Sequence, residues 1–261
     1  MSSAAKFAII GKGFIYPRHV QAIEACGAEV LMTCDINSET KPDFTDWLEM
    51  FNHPDFDKVT HVSICTPNYL HSTIAREAII RGKKVLCEKP LSINGLEGME
   101  GVKTVLQLRY HPELQKLNKP KKIYVEAKMF RDDKYWNSWK GNPVLSGGVL
   151  YNLGVHYIDL LVFLMGDSWM IRHSVVTPKL ARGEIEFESG TAEFHIEIVD
   201  SKEEQGRKLI ADGREIILSN QENLSYEDLH TEVYEEFLAG RGIGIDEAQK
   251  GLKLIKAILP K

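Results

Sequence analysis

Residues Gly147 to Gly166 form a helix-length run that is apolar almost all the way round, and its strongly polar side chains are Asn152, His156 and Asp159. The spacing i, i+4, i+7 puts these three on one helix face, stacked turn over turn. A helix apolar on every side is a buried one, so its polar stripe must either be satisfied inside the core or carry chemistry. An imidazole is the side chain whose ordinary pKa suits proton transfer near neutral pH. A second reactive side chain lies in Glu88-Lys89-Pro90, which closes the strand-like run Lys84 to Cys87. Lysines are commonly solvated surface groups, but the proline confines Lys89 to extended backbone at a strand end.

A partner for such chemistry is suggested by Gly11-x-Gly13, which follows the apolar run Lys6 to Ile10 and opens a helix. Glycines there let the chain turn tightly and let the backbone approach a pyrophosphate. Tyr16 stands where a third glycine would complete the pattern. Asp35 ends the second strand, where a carboxylate can accept hydrogen bonds from ribose hydroxyls. It is followed by Ile36, Asn37 and Ser38 rather than arginine, which favours NAD over NADP. Thr66-Pro67-Asn68 ends a further strand, Val59 to Cys65. Loops at the carboxyl ends of parallel strands border one ligand crevice. The segment Lys134 to Gly141 sets Tyr135, Trp136 and Trp139 among polar groups just before the apolar run. It reads either as a surface loop with aromatic anchors or as a wall for a polar, ring-shaped ligand. His230 and Tyr234 share a helix face near the C-terminus and read as structural.

These residues need a scaffold, and the first third supplies one in alternating strands and helices, with helices following Gly13 and over Leu70 to Arg81. Val- and Ile-rich strands separated by helices predict a parallel sheet covered on both faces. Lys103 to Leu108 reads as its last strand. The pattern then breaks between His111 and Lys121. Beyond it, strands are predicted over Ile123 to Phe130, Ile171 to Val176, Arg182 to Glu188, Thr191 to Val199, Arg207 to Ala211 and Glu215 to Leu218. Alternation within Thr191 to Val199 is that of a half-buried antiparallel strand, and Asp212-Gly213 marks a hairpin. Helices are predicted over Tyr226 to Ala239 and Asp246 to Leu259. The expected fold is α/β: a Rossmann dinucleotide-binding domain over residues 1–113, then an α+β domain over 114–261 with an open, mainly antiparallel sheet.

Across its 261 residues the chain is 43% hydrophobic and 26% charged, ordinary for a globular protein. A net charge of -5 offers no basic surplus for nucleic acid or an anionic membrane. The four cysteines lack a C-x-x-C pair, so neither a zinc site nor a disulfide framework is expected. The N-terminus has no signal-peptide core, and the run from Val149 to Met165 is short for a bilayer span. The expectation is a cytoplasmic protein without a metal.

Together the segments resemble the Gfo/Idh/MocA family of NAD(P)-dependent sugar oxidoreductases over nearly the whole chain. Glu88-Lys89-Pro90 is like the family's E-K-P loop, and Gly147 to Asp159 is like its G-G-x-x-x-D-x-G-x-H-x-x-D helix. Asn152 stands where many members carry aspartate. Within the family the likeness is strongest to the branch that oxidises C3 of UDP-N-acetylhexuronates. That rests on Pro17-Arg18-His19, Ser63 to His71, Val105 to Arg109, Ser138-Trp139-Lys140-Gly141 and Asn152-x-Gly154-Val155-His156. The chain is compact for the family, with little room for a helix after Asp35 and a glycine-rich Ser92 to Gly101 in place of another.

The resemblance implies NAD held by Gly11, Gly13, Phe14, Ile15 and Asp35, with Thr66, Pro67, Asn68, His71, Glu88 and Lys89. It implies a UDP-sugar held by Arg109, Tyr135, Ser138, Trp139, Lys140, Asn152 and His156, and a homo-oligomer, dimer or tetramer. Oxidising a secondary alcohol requires its hydroxyl proton to leave, so a base must lie within hydrogen-bond reach. Lys89, His156 and Asn152 are the catalytic candidates. Neutral His156 is the expected acceptor, with Lys89 stabilising alkoxide charge and Asn152 orienting hydroxyls. Burial that lowered the lysine pKa would reverse the first two roles. A free-sugar or polyol dehydrogenase of the same family, or a non-catalytic NAD-binding regulator, is the alternative. A regulator has no need of a proton-transfer pair.

Overall fold

The computed structural model describes residues 4–219 and 229–260, which form two compact units. The first contains the described residues up to Gln107 together with 229–245, and the second contains Leu108 to Ser219 together with 246–260. The expected single cut at residue 113 is therefore replaced by a discontinuous division, with a C-terminal helix returned to the N-terminal unit. The start of that predicted helix, residues 226–228, lies outside the described residues.

In the first unit, strands β1 (Lys6–Ile10), β2 (Glu29–Cys34), β3 (His61–Ile64), β4 (Lys84–Cys87) and β5 (Lys103–Thr104) form one sheet in the order β2-β1-β3-β4-β5, parallel throughout. β5 is far shorter than predicted. After Thr104 the chain leaves the sheet, and Gln107–Tyr110 coils into a tight turn. Phe7, Ala8, Ile9, Val62 and Ile64 are fully buried, as a sheet covered on both faces requires. The helices are α1 (Tyr16–Ala25), the short α2 (Trp47–Asn52) and α3 (His71–Ile80). The compactness read after Asp35 is real, since only single turns and α2 lie between β2 and β3. The strand order reverses between β1 and β3, the switch point at which open α/β sheets bind ligands.

The second unit begins with α4 (Pro112–Gln115) and β6 (Lys122–Phe130). Three short segments follow: α5 (Asp133–Trp136), α6 (Pro143–Ser146) and a wide π-helical turn over Leu150–Gly154 that runs into α7 (Val155–Met165). Strands β7 (Trp169–Val176), β8 (Leu180–Phe187), β9 (Gly190–Val199), β10 (Gly206–Ala211) and β11 (Arg214–Ser219) complete a six-stranded sheet ordered β11-β10-β6-β9-β8-β7. Every pairing is antiparallel except β6 with β9, so the sheet is mixed and mostly antiparallel, as predicted. The predicted turn at Asp212-Gly213 is present, with both residues at positive φ. Helix α8 (Leu229–Leu238) belongs to the first unit, where it packs on α1; α9 (Ile245–Ile258) belongs almost wholly to the second.

The apolar run Pro143–Met165 is long enough to span a bilayer by length and composition, yet 72% of its most apolar window is buried inside the protein. It packs as a core helix. Val155, Ile158, Leu161 and Val162 are buried, and Gly154 sits so close to β9 that a Cβ would stand 2.9 Å from Ile196 Cδ1.

The β6–β9 pairing depends on another close approach. Thr191 N–H donates to the Lys121 carbonyl at 2.9 Å, and a Cβ on neighbouring Gly190 would stand 1.9 Å from that oxygen. Gly190→Ala is expected to destabilise the protein by roughly 1–3 kcal/mol through overpacking against backbone. Chemical denaturation checks this, and an unchanged midpoint would show that the pairing yields at no cost.

Candidate functional site

The cofactor candidates gather at the switch point of the first unit. Gly11 adopts φ +99°, and a Cβ there would lie 2.5 Å from the Cys65 carbonyl oxygen, so the loop after β1 and the loop after β3 meet through bare backbone. Only glycine fits that position. Gly13, by contrast, has open space around it. Helix α1 starts without a side-chain cap, a suitable seat for an anion. Asp35 accepts from Lys12 N–H at 2.5 Å and from Asn37 N–H at 2.8 Å, which fixes its carboxylate beside the glycine loop. Phe14 is largely exposed and Ile15 half-buried on that loop. Backbone cradle, uncapped helix and fixed carboxylate fit a dinucleotide.

His71 and Glu88, two of the expected cofactor residues, lie at the loops after β3 and β4, where each has a structural task. Both side chains are buried and are used to hold loops. His71 is fully enclosed, with Nδ1 2.7 Å from the Pro90 carbonyl and Nε2 2.9 Å from the Thr66 carbonyl, and so ties the loop after β3 to the loop after β4. Burial pushes its pKa down, and the two carbonyls oppose that shift. Glu88 Oε2 accepts the Lys89 N–H at 3.1 Å, while Oε1 lies 3.0 Å from His19 Nε2 and 3.8 Å from His230 Nε2. Burial alone would raise its carboxyl, but the two imidazoles outweigh that and hold it well below the carboxylate range. Lys89 is half-buried, with a cis peptide joining it to Pro90.

In the second unit the polar stripe is bent out of the predicted helical register. Asn152 lies in the π-helical turn and His156 in the first turn of α7, so they are not stacked as on one straight α-helix. Such wide turns are frequent at functional sites. Buried Asn152 donates to the Tyr135 hydroxyl at 2.9 Å, which brings the aromatic segment to the helix as expected. His156 is half-buried. Ser138 is used locally: its hydroxyl donates to the Tyr135 carbonyl at 2.8 Å and accepts from Lys140 N–H at 3.3 Å, capping a turn. Lys140 Nζ lies 5.9 Å from the Trp139 ring centre.

Arg109, expected to hold substrate, is 6% exposed and grips Asp159 through two hydrogen bonds of 2.7 Å, with Glu247 at 3.2 Å. Asp159 therefore anchors α7. Burial pushes the Asp159 carboxyl up and Arg109 opposes this. The cation that the reading missed is Arg131, one residue past β6, whose guanidinium sits 5.4 Å from the centre of the Tyr135 ring. Its neighbours Asp132 and Asp133 disguise it in the sequence as part of a mixed-charge turn. Burial and nearby Arg207 lower its pKa, and burial and Arg131 lower that of Lys140. Neither Arg131 nor Lys140 forms an ion pair with an acid among the described residues. Asp132 opposes both shifts only in part, and two half-buried cations in one segment suit an anion.

Comparison with known proteins agrees with this geometry. Residues 5–109 match the oxidoreductase family's NAD-binding Rossmann fold, and residues 113–197 match its C-terminal alpha/beta domain. The chain belongs to the Gfo/Idh/MocA oxidoreductase family, whose N-terminal domain binds NAD. The WlbA (WbpB) dehydrogenase from Thermus thermophilus, solved in complex with NAD and UDP-GlcNAcA, is 30% identical. The likeness covers 98% of this chain and 95% of that one, with a TM-score of 0.81. Glucose-6-phosphate 3-dehydrogenase of Bacillus subtilis is 26% identical over 65% of this chain and 56% of that protein. The inositol 2-dehydrogenase/D-chiro-inositol 3-dehydrogenase of Lactiplantibacillus plantarum is 26% identical over 68% and 57%. The chain thus spans little more than half the length of these curated relatives.

The Arg109–Asp159 pair makes a prediction about stability. Arg109→Met leaves a buried carboxylate unpaired, at an expected cost of roughly 3–5 kcal/mol. Without its cation, the folded-state pKa of Asp159 rises further above the unfolded value, so the folded state binds the extra proton. The deficit against the parent should therefore shrink as pH falls. Thermal melts at several pH values check both the loss and its direction; a deficit that grew on acidification would contradict the pairing.

Proposed function

We propose that this protein is an NAD-dependent dehydrogenase that oxidises the C3 hydroxyl of a UDP-N-acetylhexuronate, a step in making surface polysaccharide precursors. The observation that carries the reading is the pair of half-buried cations Arg131 and Lys140, each with its pKa lowered by burial and by a neighbouring arginine, in the segment that carries the Asn152–Tyr135 hydrogen bond. A diphosphate or a sugar carboxylate supplies the missing negative charge, and a guanidinium fork suits either. The similarity to the Thermus thermophilus enzyme, solved with NAD and UDP-GlcNAcA, supports the same substrate class. A free-sugar or polyol substrate is the second reading, favoured by the names of the curated relatives.

In this reading residues 1–113 carry the cofactor and 114–261 the substrate. NAD, when bound, accepts the hydride from the alcohol carbon. Gly11 and the Thr66, Pro67 and Asn68 loop shape its seat, while Asp35 stands where a ribose would be recognised. His156 takes the hydroxyl proton as neutral imidazole, Lys89 stabilises the developing alkoxide, and Asn152 orients the sugar together with Tyr135. His71 and Glu88 hold the loops that present Lys89. A homo-oligomer assembled through the sheet and a cytoplasmic location belong to the same reading.

The test is the absorbance of NADH formed when the purified protein meets NAD and a panel of UDP-sugars, sugar phosphates, free sugars and inositols. Turnover with a UDP-N-acetylhexuronate is expected. Turnover confined to free sugars or inositols would establish the second reading instead. Lys89→Ala and His156→Ala should each lower turnover roughly 10²–10⁴-fold, as for lost acid–base catalysis, with NAD affinity by fluorescence titration nearly unchanged. Near-full turnover in both variants would remove these residues from the chemistry.

A further inference from the structure

Within the first unit, three side chains from distant parts of the sequence converge: His19 on α1, Glu88 after β4 and His230 on α8. One ligand atom from each lies within 4.8 Å of the others, and all three residues are buried. We propose that His19, Glu88 and His230 form a binding site for a divalent transition cation of the zinc type.

The donor set is two imidazoles and one carboxylate, which suits zinc and its borderline neighbours. His19 Nε2 lies 3.0 Å from Glu88 Oε1, and His230 Nε2 lies 3.8 Å from the same oxygen. Two ligand atoms bound to one ion at about 2.0–2.2 Å stand at most about 4.4 Å apart, so both separations from Glu88 Oε1 fall within the reach of a single ion.

His230 provides an independent observation. It is 1% exposed, yet neither ring nitrogen has a hydrogen-bond partner among the described residues. A buried polar atom without a partner is destabilising, and a metal bond removes that penalty at Nε2. The surroundings of His19 fit as well. Its Nδ1 lies 2.8 Å from the Tyr234 hydroxyl, which in turn lies 2.7 Å from Ser63 Oγ. A metal-bound imidazole donates its other N–H to such an acceptor, which fixes ring and tautomer. Both hydroxyls can donate or accept, so this chain accommodates the metal-bound tautomer without moving an atom.

A bound cation would neutralise the buried Glu88 carboxylate and leave its second oxygen to hold the Lys89 N–H. The ion thus acts as a structural clip on the loop carrying Lys89, outside the hydride and proton steps. The site does not rest on the substrate assignment.

Titrating the full-length, metal-stripped protein with Co²⁺ alone, and following its visible ligand-field bands, tests the site without any turnover assay. Saturation at one Co²⁺ per chain is expected, with the bands displaced by Zn²⁺. His230→Gln and Glu88→Gln should abolish them, and Tyr234→Phe should weaken binding roughly 10–100-fold by loosening His19. His173→Ala, which removes a surface imidazole beside Glu184, should leave them intact. Circular dichroism and NAD titration identify any variant that has failed to fold. Absent bands in the parent protein would overturn the site and leave the Glu88 carboxylate to its imidazole neighbours alone. So would bands that survive unchanged in a folded His230→Gln variant, or that vanish with His173→Ala.

Discussion

The second unit turns on one buried ion pair. Asp159 is almost fully enclosed on α7, where a lone carboxylate would cost several kcal/mol in lost hydration. Arg109 offsets this with two parallel hydrogen bonds, a geometry that tolerates little rotation of the helix. Gly251 of α9 presses against the same residue, since a Cβ there would lie 3.2 Å from Asp159 Cα. The helix is therefore fixed in rotation by charge and in translation by packing. His156 lies one turn before Asp159 on the same helix, so its direction follows from where that pair holds the helix. The π-helical turn absorbs the mismatch between that fixed helix and the Asn152–Tyr135 hydrogen bond.

The first unit solves the matching problem by different means. Its loops carry few side chains that could grip one another on the surface, and they are held from below. His71 joins the loops after β3 and β4 through their carbonyls. Glu88 holds the Lys89 amide while its other oxygen is engaged by His19. Helix α8 closes the arrangement, because Tyr234 reaches both His19 and Ser63. This explains why a C-terminal helix belongs to the N-terminal unit: without it, the residues beneath Lys89 would lack their hydroxyl partner.

What the sequence disclosed follows from the range of the interactions. Periodicity is local, so β1 to β4, α3 and the hairpin at Asp212-Gly213 stand close to where the pattern places them. Gly11 and Asp35 were readable because the strand–loop–helix around them has fixed spacing. The Arg109–Asp159 pair was not legible because the carboxylate lies fifty positions on, and an isolated arginine gives no sign of such a partner. His230 and Tyr234 read as structural for want of any clue that α8 crosses to Glu88. Arg131 was hidden by its acidic neighbours, and its partial burial and its place over the Tyr135 ring separate it from an ordinary surface arginine. β5 was overextended because an apolar run records burial without recording shape: Val105 and Leu106 are buried outside the sheet, and Leu108 is buried in the turn that follows.

The two units also differ in what evolution can change. In the first, the seat at the switch point is made of backbone, and its one strict demand is a residue without a side chain at Gly11. Nearly any sequence that preserves the strands preserves that seat. In the second, the substrate residues proposed above are particular side chains at the end of β6 and around α5: Arg131, Tyr135 and Lys140, with Asn152 bonded to Tyr135. Each sits near a short turn with its own cap, so one substitution can alter it without disturbing the sheet. A fold divided this way keeps its cofactor while its substrate drifts. The curated relatives fit that division, sharing the family while being named for glucose 6-phosphate and for inositols. On the proposed function, the side chains around Arg131 are where such drift would act.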